Sequence, residues 1–165
     1  ESTGEITSDG ELLMEMGCKL LDKPYAITKG DSTLWVSRFI TGTEFYQKTG
    51  VDKDNDNSVK VVVTHYPRHK YHYTADRDTP GYDLVLAGHY HAGQYRIPFY
   101  GALFIPDVFT PVYLFPDQRE VKGLITWGNT NQYVTAGLGA NARIKLLEFR
   151  LFNTPEINVI TLTKK

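Results

Sequence analysis

Leu12, Leu13 and Met16 lie at helical spacing behind Ser8-Asp9-Gly10-Glu11, a capping box, and Gly17 supplies a stop, so the pattern predicts a short packing helix over about 9–16. The stretch KPYAITKGDSTLWVSRF alternates apolar and polar residues about Gly30-Asp31, which predicts a hairpin with strands near 25–29 and 33–39. A helical turn is expected between Thr41 and Gly50, followed by a polar connection, DKDNDNS, at 52–58. Two β-branched and aliphatic runs follow, VKVVVT at 59–64 and DLVLAG at 83–88, each predicting a strand buried on both faces. They end at His65 and His89. The segment between them is too polar and too broken by Pro and Gly for a long helix, leaving a short one near 73–78. Tyr95 to Pro116, with four prolines and many aromatics, predicts a long ordered loop. LITW and QYVTAG about Gly128-Asn129 predict a second hairpin, and IKLLEF and INVITL two further strands. The C-terminal half is thus expected to be mainly β.

Composition narrows the class more than the architecture. A chain of 165 residues makes one domain, 1–165, able to bury roughly 70% of its unfolded surface. With 41% hydrophobic and 22% charged residues it belongs with soluble folded proteins. Eighteen Lys and Arg balance nineteen Asp and Glu for a net charge of -1, so no general field attracts nucleic acid, and no nucleic-acid partner is expected. The single cysteine, Cys18, excludes an internal disulfide framework and a cysteine zinc site, and a buried, inert thiol is expected. No apolar run reaches about 18 residues, and no basic start precedes a short apolar core, so neither a membrane span nor a signal peptide is predicted. The polar start ESTGEITSDG, without an initiating Met, reads as a cut or processed end.

The chemistry concentrates at the strand ends. In Gly88-His89-Tyr90-His91, residues i and i+2 face one point if the strand continues, or two neighbouring points if it bends at Gly88. His65 joins them if the two buried strands are adjacent and parallel, at the carboxyl ends where open α/β sheets place ligands. Neutral imidazoles suit zinc, iron, manganese-type mixed sites and nickel, and an H-x-H after a buried strand favours metal over a hydrogen-bonded core role. His69 and His72, in Arg68-His69-Lys70-Tyr71-His72-Tyr73, fit a solvated loop or a positive rim facing a phosphate. A solvated loop rather than a calcium site is expected at 52–63, because an EF-hand starting at Asp52 would need Gly and Glu where the chain has Asn57 and Val63. A G-x-S-x-G elbow, a P-loop and an H-E-x-x-H helix are all missing. Gly137-Leu138-Gly139 is a weak dinucleotide signal but a reasonable close turn beside a site. Tyr95, Phe99, Tyr100 and Phe104 suit either an apolar substrate or a loop packed on its own aromatics.

In order and spacing, Thr64-His65-Tyr66-Pro67, Leu86–Pro98 (LAGHYHAGQYRIP), Tyr133–Gly139 (YVTAGLG) and Arg150–Ile157 (RLFNTPEI) resemble the calcineurin-like metallophosphoesterases, in particular a branch of bacterial phosphohydrolases often tethered to membranes. The resemblance covers about 59–163. It implies a strand-rich α/β (α+β) fold in which two sheets pack face to face with helices outside. It also implies hydrolysis of a phosphoester at two divalent ions (Mn, Fe or Zn), with His65 and His89 on the second ion and His91 on the first. The family's earlier D-x-H, its G-D with the bridging Asp, and its G-N-H with the catalytic His have no counterpart: Gly30-Asp31 sits in a hairpin turn and Gly128-Asn129 is followed by Thr130. The expectation is therefore the C-terminal part of such a domain, with no catalytic histidine, weak or no two-metal binding and negligible activity alone. An apolar sheet face would be left for the missing N-terminal half or for self-association. A membrane or cell-envelope tether would lie in residues outside this chain. The alternative is a non-catalytic β-rich domain that binds a metal or phosphate through the same histidines.

Overall fold

The β-branched and alternating segments pair into one mixed sheet in the computed structural model, which describes residues 8–68, 81–106, 113–140 and 145–163. β1 (Tyr25–Lys29) and β2 (Ser32–Arg38) form the expected hairpin, turning at Gly30, whose φ of 57° a glycine adopts without steric cost. β3 (Val59–Thr64) lies parallel to β2, and β4 (Leu84–Ala87) lies parallel to β3. β9 (Gly123–Trp127) and β10 (Thr130–Val134) form the second hairpin, with β10 parallel to β4. The six strands run in the order β1-β2-β3-β4-β10-β9, giving a strand-rich α/β fold with few helices.

One face of this sheet is well covered. Lys60, Val62, Val85, Gln132 and Val134 point to it and are buried. α2 (Gly42–Thr49) closes it over β2 and β3: Thr41 caps the helix by accepting from Glu44 N at 3.1 Å, and Gly50 ends it with φ 69°. Phe45 of α2 is fully buried, edge-on to Trp35 at 5.8 Å. Val62, Tyr82 and Val85 pack with Phe39, and the Tyr82 hydroxyl donates to Ile40 O at 2.8 Å while accepting from Ile40 N at 3.0 Å. Further along, Tyr90, Ala102, Ile105, Val121 and Val134 form a second cluster under α3 (Gln118–Val121). The DKDNDNS connection also contributes: Asp56 is buried with Lys60, Oδ2 to Nζ 2.8 Å, and its Oδ1 accepts from Ser58 N at 3.0 Å. Ion pairing with Lys60 and the Ser58 hydrogen bonds overcome the burial that opposes its charge, and the Asp56 carboxyl is held below its ordinary value.

The opposite face is not closed. Strand alternation and register put Ile27, Leu34, Val36, Val59, Val61, Val63, Leu84, Leu86, Tyr133 and Leu124 on it. Val61 and Leu84 at its centre are buried, but Val63 is 43% and Leu124 65% exposed. The expectation that β3 is buried on both faces is thus corrected, because little apolar mass covers this side.

Other expectations change for related reasons. The N-terminal helix α1 (Ser8–Glu15) forms, but Leu12, Leu13 and Met16 stay exposed, so its stripe does not pack; Cys18 beyond it is exposed as well, not buried. The described part of IKLLEF, Lys145–Phe149, is no strand: Lys145–Leu147 make a single 3₁₀ turn. INVITL forms no strand, with Val159 92% exposed, since a β-branched run becomes a strand only where an edge is offered to its backbone. The proline-rich stretch holds two small pairs, β5 (Arg96–Ile97) with β6 (Gly101–Ala102) and β7 (Phe104–Ile105) with β8 (Tyr113–Leu114). Within it Tyr95 packs against Phe104 at 5.5 Å and Tyr100 against Phe115 at 6.2 Å, while Phe99 stands fully exposed. The short helix expected near 73–78, like His69 and His72, lies outside the described residues. No helix among the described residues is long and apolar enough to cross a membrane.

Candidate metal centre

Parallel pairing of β3 with β4 sets Thr64 beside Ala87, so the residues that follow leave the sheet side by side. Gly88 N donates to His65 O at 3.3 Å and extends the pairing one step. The chain after β3 is pinned from below by Gln132, whose amide accepts from Arg68 N at 2.8 Å and donates to Arg68 O at 3.1 Å. Arg68 in turn stacks on Phe39 at 3.8 Å.

After Gly88 the chain does not continue as a strand. His89, His91, Ala92, Gly93 and Gln94 all have positive φ, at 68°, 48°, 54°, 75° and 25°. Each such non-glycine residue costs about 1–2 kcal/mol, so the loop persists only because its surroundings impose it. Tyr90 anchors it in the second apolar cluster and Ala92 is fully buried. Gly93 is packed so closely that an added Cβ would stand 2.2 Å from Ala102 Cβ. Arg96 Nη1 donates to Ala92 O at 2.7 Å, and Asn153 Nδ2 donates to His91 O at 2.6 Å.

This bend separates the two histidines of the H-x-H. His89 Nδ1 lies 2.9 Å from His65 Nε2, with ring centroids 4.7 Å apart, and the Tyr66 ring sits against His89 at 4.4 Å. As a hydrogen bond, this contact has one nitrogen donating its N–H to the lone pair of the other, the tautomer deciding which. Two imidazole nitrogens each about 2.0–2.1 Å from one ion, at bond angles of 90–109°, stand roughly 2.9–3.4 Å apart. The pair therefore has the spacing and chemistry of two ligands on a single divalent ion, at the short end of that range. His91 turns elsewhere: its Nδ1 lies 2.8 Å from Gly139 O, which can only accept, so Nδ1 bears the hydrogen and Nε2 the lone pair. Among the described residues, no group of three or more His, Cys, Asp or Glu comes together to hold an ion.

Two residues at this site, Arg150 and Asn153, were given no role by the sequence pattern, and Gly139 was read only as part of a close turn beside a site. Gly139 supplies its carbonyl to His91 from the turn after β10. Arg150 Nε donates to the same oxygen at 2.9 Å, and its Nη2 to Ala136 O at 2.5 Å, Gly137 O at 3.0 Å and Gly139 O at 2.6 Å. Partial burial pulls its guanidinium below the ordinary value, with Glu156 opposing. Asn153 Oδ1 accepts from Arg150 Nη1 at 3.4 Å. The sequence signal for Arg150 and Asn153 was the RLFNTPEI stretch, which carries part of the family resemblance.

With its parallel strand pair ending in two adjoined imidazoles, the chain is related to the calcineurin-like metallophosphoesterases. Over 106 residues it is 36% identical to the phosphodiesterase YaeI of Escherichia coli, which covers 64% of this chain and 33% of that protein. Over 123 residues it is 32% identical to the uncharacterized metallophosphoesterase YkuE of Bacillus subtilis, covering 73% of this chain and 36% of that protein. The chain thus spans about a third of the length of these curated relatives. No family model matches it, and no solved structure matches it significantly.

Proposed function

We propose that this chain contributes one side of a dinuclear metal centre that hydrolyses a phosphoester. The observation that carries the reading is the His65–His89 contact of 2.9 Å at the ends of two adjacent parallel strands. In this reading His65 and His89 hold one ion together and His91 presents Nε2 to its neighbour. Divalent ions so bound (Mn, Fe or Zn) would supply Lewis acidity toward the phosphoryl oxygens and lower the pKa of water near neutral pH. The chain's own part is to orient three imidazoles and to carry the ions at strand ends. The bridging carboxylate and the catalytic histidine come from sequence outside it. The open sheet face, from Ile27 through Val63 to Leu124, is the surface the remaining half of a two-sheet sandwich, or a second copy, would cover.

The reading predicts that the 165-residue chain binds Zn²⁺ or Mn²⁺ weakly and does not hydrolyse bis(p-nitrophenyl) phosphate. His65→Ala and His89→Ala should each weaken Zn²⁺ binding at least about 10-fold in calorimetric titration. Unchanged affinity in both variants would remove the imidazole pair as a site, and robust metal-dependent hydrolysis by the chain alone would overturn its incompleteness. If a longer protein carrying D-x-H, G-D and G-N-H upstream binds two ions without hydrolysing phosphoesters, the non-catalytic binding alternative replaces the enzyme.

A further inference from the structure

We infer that Arg150 is the positioning residue that fixes the tautomer and orientation of His91; its relevance to metal rests on the function proposed above. Gly139 O accepts from His91 Nδ1 at 2.8 Å and from two nitrogens of Arg150, Nε at 2.9 Å and Nη2 at 2.6 Å. A carbonyl has two lone pairs, so the imidazole takes one and the two N–H groups on one edge of the guanidinium share the other. That oxygen is held in place with those of Ala136 and Gly137 around one guanidinium. Three carbonyl dipoles converging on one point repel one another unless a cation sits among them. Arg150, with its planar fork, is that cation, and an ammonium on a flexible stem cannot meet the same geometry.

The main chain of His91 is gripped by the same group. Arg150 Nη1 reaches Asn153 Oδ1, and Asn153 Nδ2 donates to His91 O at 2.6 Å. His91 is therefore held at its ring through Gly139 and at its backbone through Asn153, and both links lead back to Arg150. A hydrogen bond from one ring nitrogen to a backbone carbonyl is the arrangement that presents the other nitrogen as a ligand of fixed direction. Without Arg150, the Ala136–Gly139 carbonyls spread, the Nδ1–H loses its acceptor, and the imidazole is free to move its hydrogen to Nε2, the atom a metal needs bare.

The test reads the tautomer directly, by long-range ¹⁵N–¹H correlation on the chain labelled at histidine nitrogen. In the wild type, His91 should carry its hydrogen on Nδ1. In Arg150→Met the His91 signals should move toward a mixture of tautomers while those of His65 and His89 stay put. Arg150→Lys, which keeps the charge but not the fork, should resemble Arg150→Met and provides the comparison if the Met variant does not fold. A wild-type His91 with its hydrogen on Nε2, or unchanged His91 signals in a natively folded Arg150 variant, overturns the inference. Zn²⁺ titration separates the two readings: with His91 as a ligand, Arg150→Met weakens binding about 10- to 100-fold. If the tautomer shifts but neither Arg150→Met nor His91→Ala alters Zn²⁺ binding, the positioning role stands and the metal role of His91 fails.

Discussion

Replacing Gly93 with alanine tests whether the left-handed loop that carries the histidines is imposed by packing. The new Cβ would lie 2.2 Å from Ala102 Cβ and 3.2 Å from both Ala102 Cα and Phe104 O. Carbon atoms rest at about 3.5–4.0 Å, so the first contact is short by more than about 1 Å. Ala102 Cβ is fixed to the backbone of β6 and has no rotamer to offer. The φ of 75° adds about 1–2 kcal/mol for any residue with a Cβ, and overpacking of a close-fitted site costs about 1–3 kcal/mol. The sum is about 2–5 kcal/mol. Gly137→Ala isolates the first contribution, since Gly137 has φ 62° and open space around it; Gly139→Ala, whose nearest atom is His91 Cε1 at 3.8 Å, should be near neutral. Urea unfolding followed by tryptophan fluorescence reads the series, with a midpoint loss for Gly93→Ala of about 1–2.5 M at a slope near 2 kcal/mol/M. A Gly93→Ala variant no less stable than Gly137→Ala would refute the packing argument.

Lys60→Met leaves the Asp56 carboxylate, 2% exposed, without its cation and should cost about 3–5 kcal/mol, with Asp56→Asn/Lys60→Met together recovering part of it in the same urea assay. Because the folded Asp56 carboxyl is held below 3.8, its contribution is fully present above that pH and is lost as pH falls through the lower folded value; acid unfolding of Asp56→Asn should accordingly be less steep in that range. Leu124→Lys and Ile27→Lys, both on the open sheet face, should lower self-association in sedimentation without lowering the urea midpoint by more than about 0.5 kcal/mol equivalent. An association constant unchanged in both would show that another surface is used.

Local signals carried much of the fold. Gly30 and Gly128 marked both hairpins, Thr41 and Gly50 bounded α2, and the β-branched runs ending at His65 and His89 gave a parallel pair. What failed depended on partners the pattern cannot see. INVITL has the composition of a strand but meets no edge, and Leu12, Leu13 and Met16 have helical spacing but meet no surface. At the site, the adjacency of His65 and His89 followed from strand pairing. The divergence of His91 was one of two alternatives, a bend at Gly88 against a continued strand, and the local pattern did not decide between them, because positive φ at four non-glycine residues of the loop comes from tertiary contacts rather than from the residues' own preferences. Arg150 and Asn153 stood out only as part of the RLFNTPEI stretch, and their roles were hidden because most of their partners are main-chain oxygens, whose positions the sequence does not show.

The span of those contacts also sets an order of assembly. The His65–His89 pair is set by β3 and β4, with Gln132 and Val134 of β10 holding the segments that follow them, and all of these precede Asn153 along the chain. His91 is not held until Asn153, 62 residues further along, has emerged. At roughly 5–20 residues per second that is a delay of about 3–12 s. A nascent chain stalled late in this interval, after β10, would already have two imidazoles in register while the third was still unaimed, so the two sides of the histidine set mature at different times during synthesis.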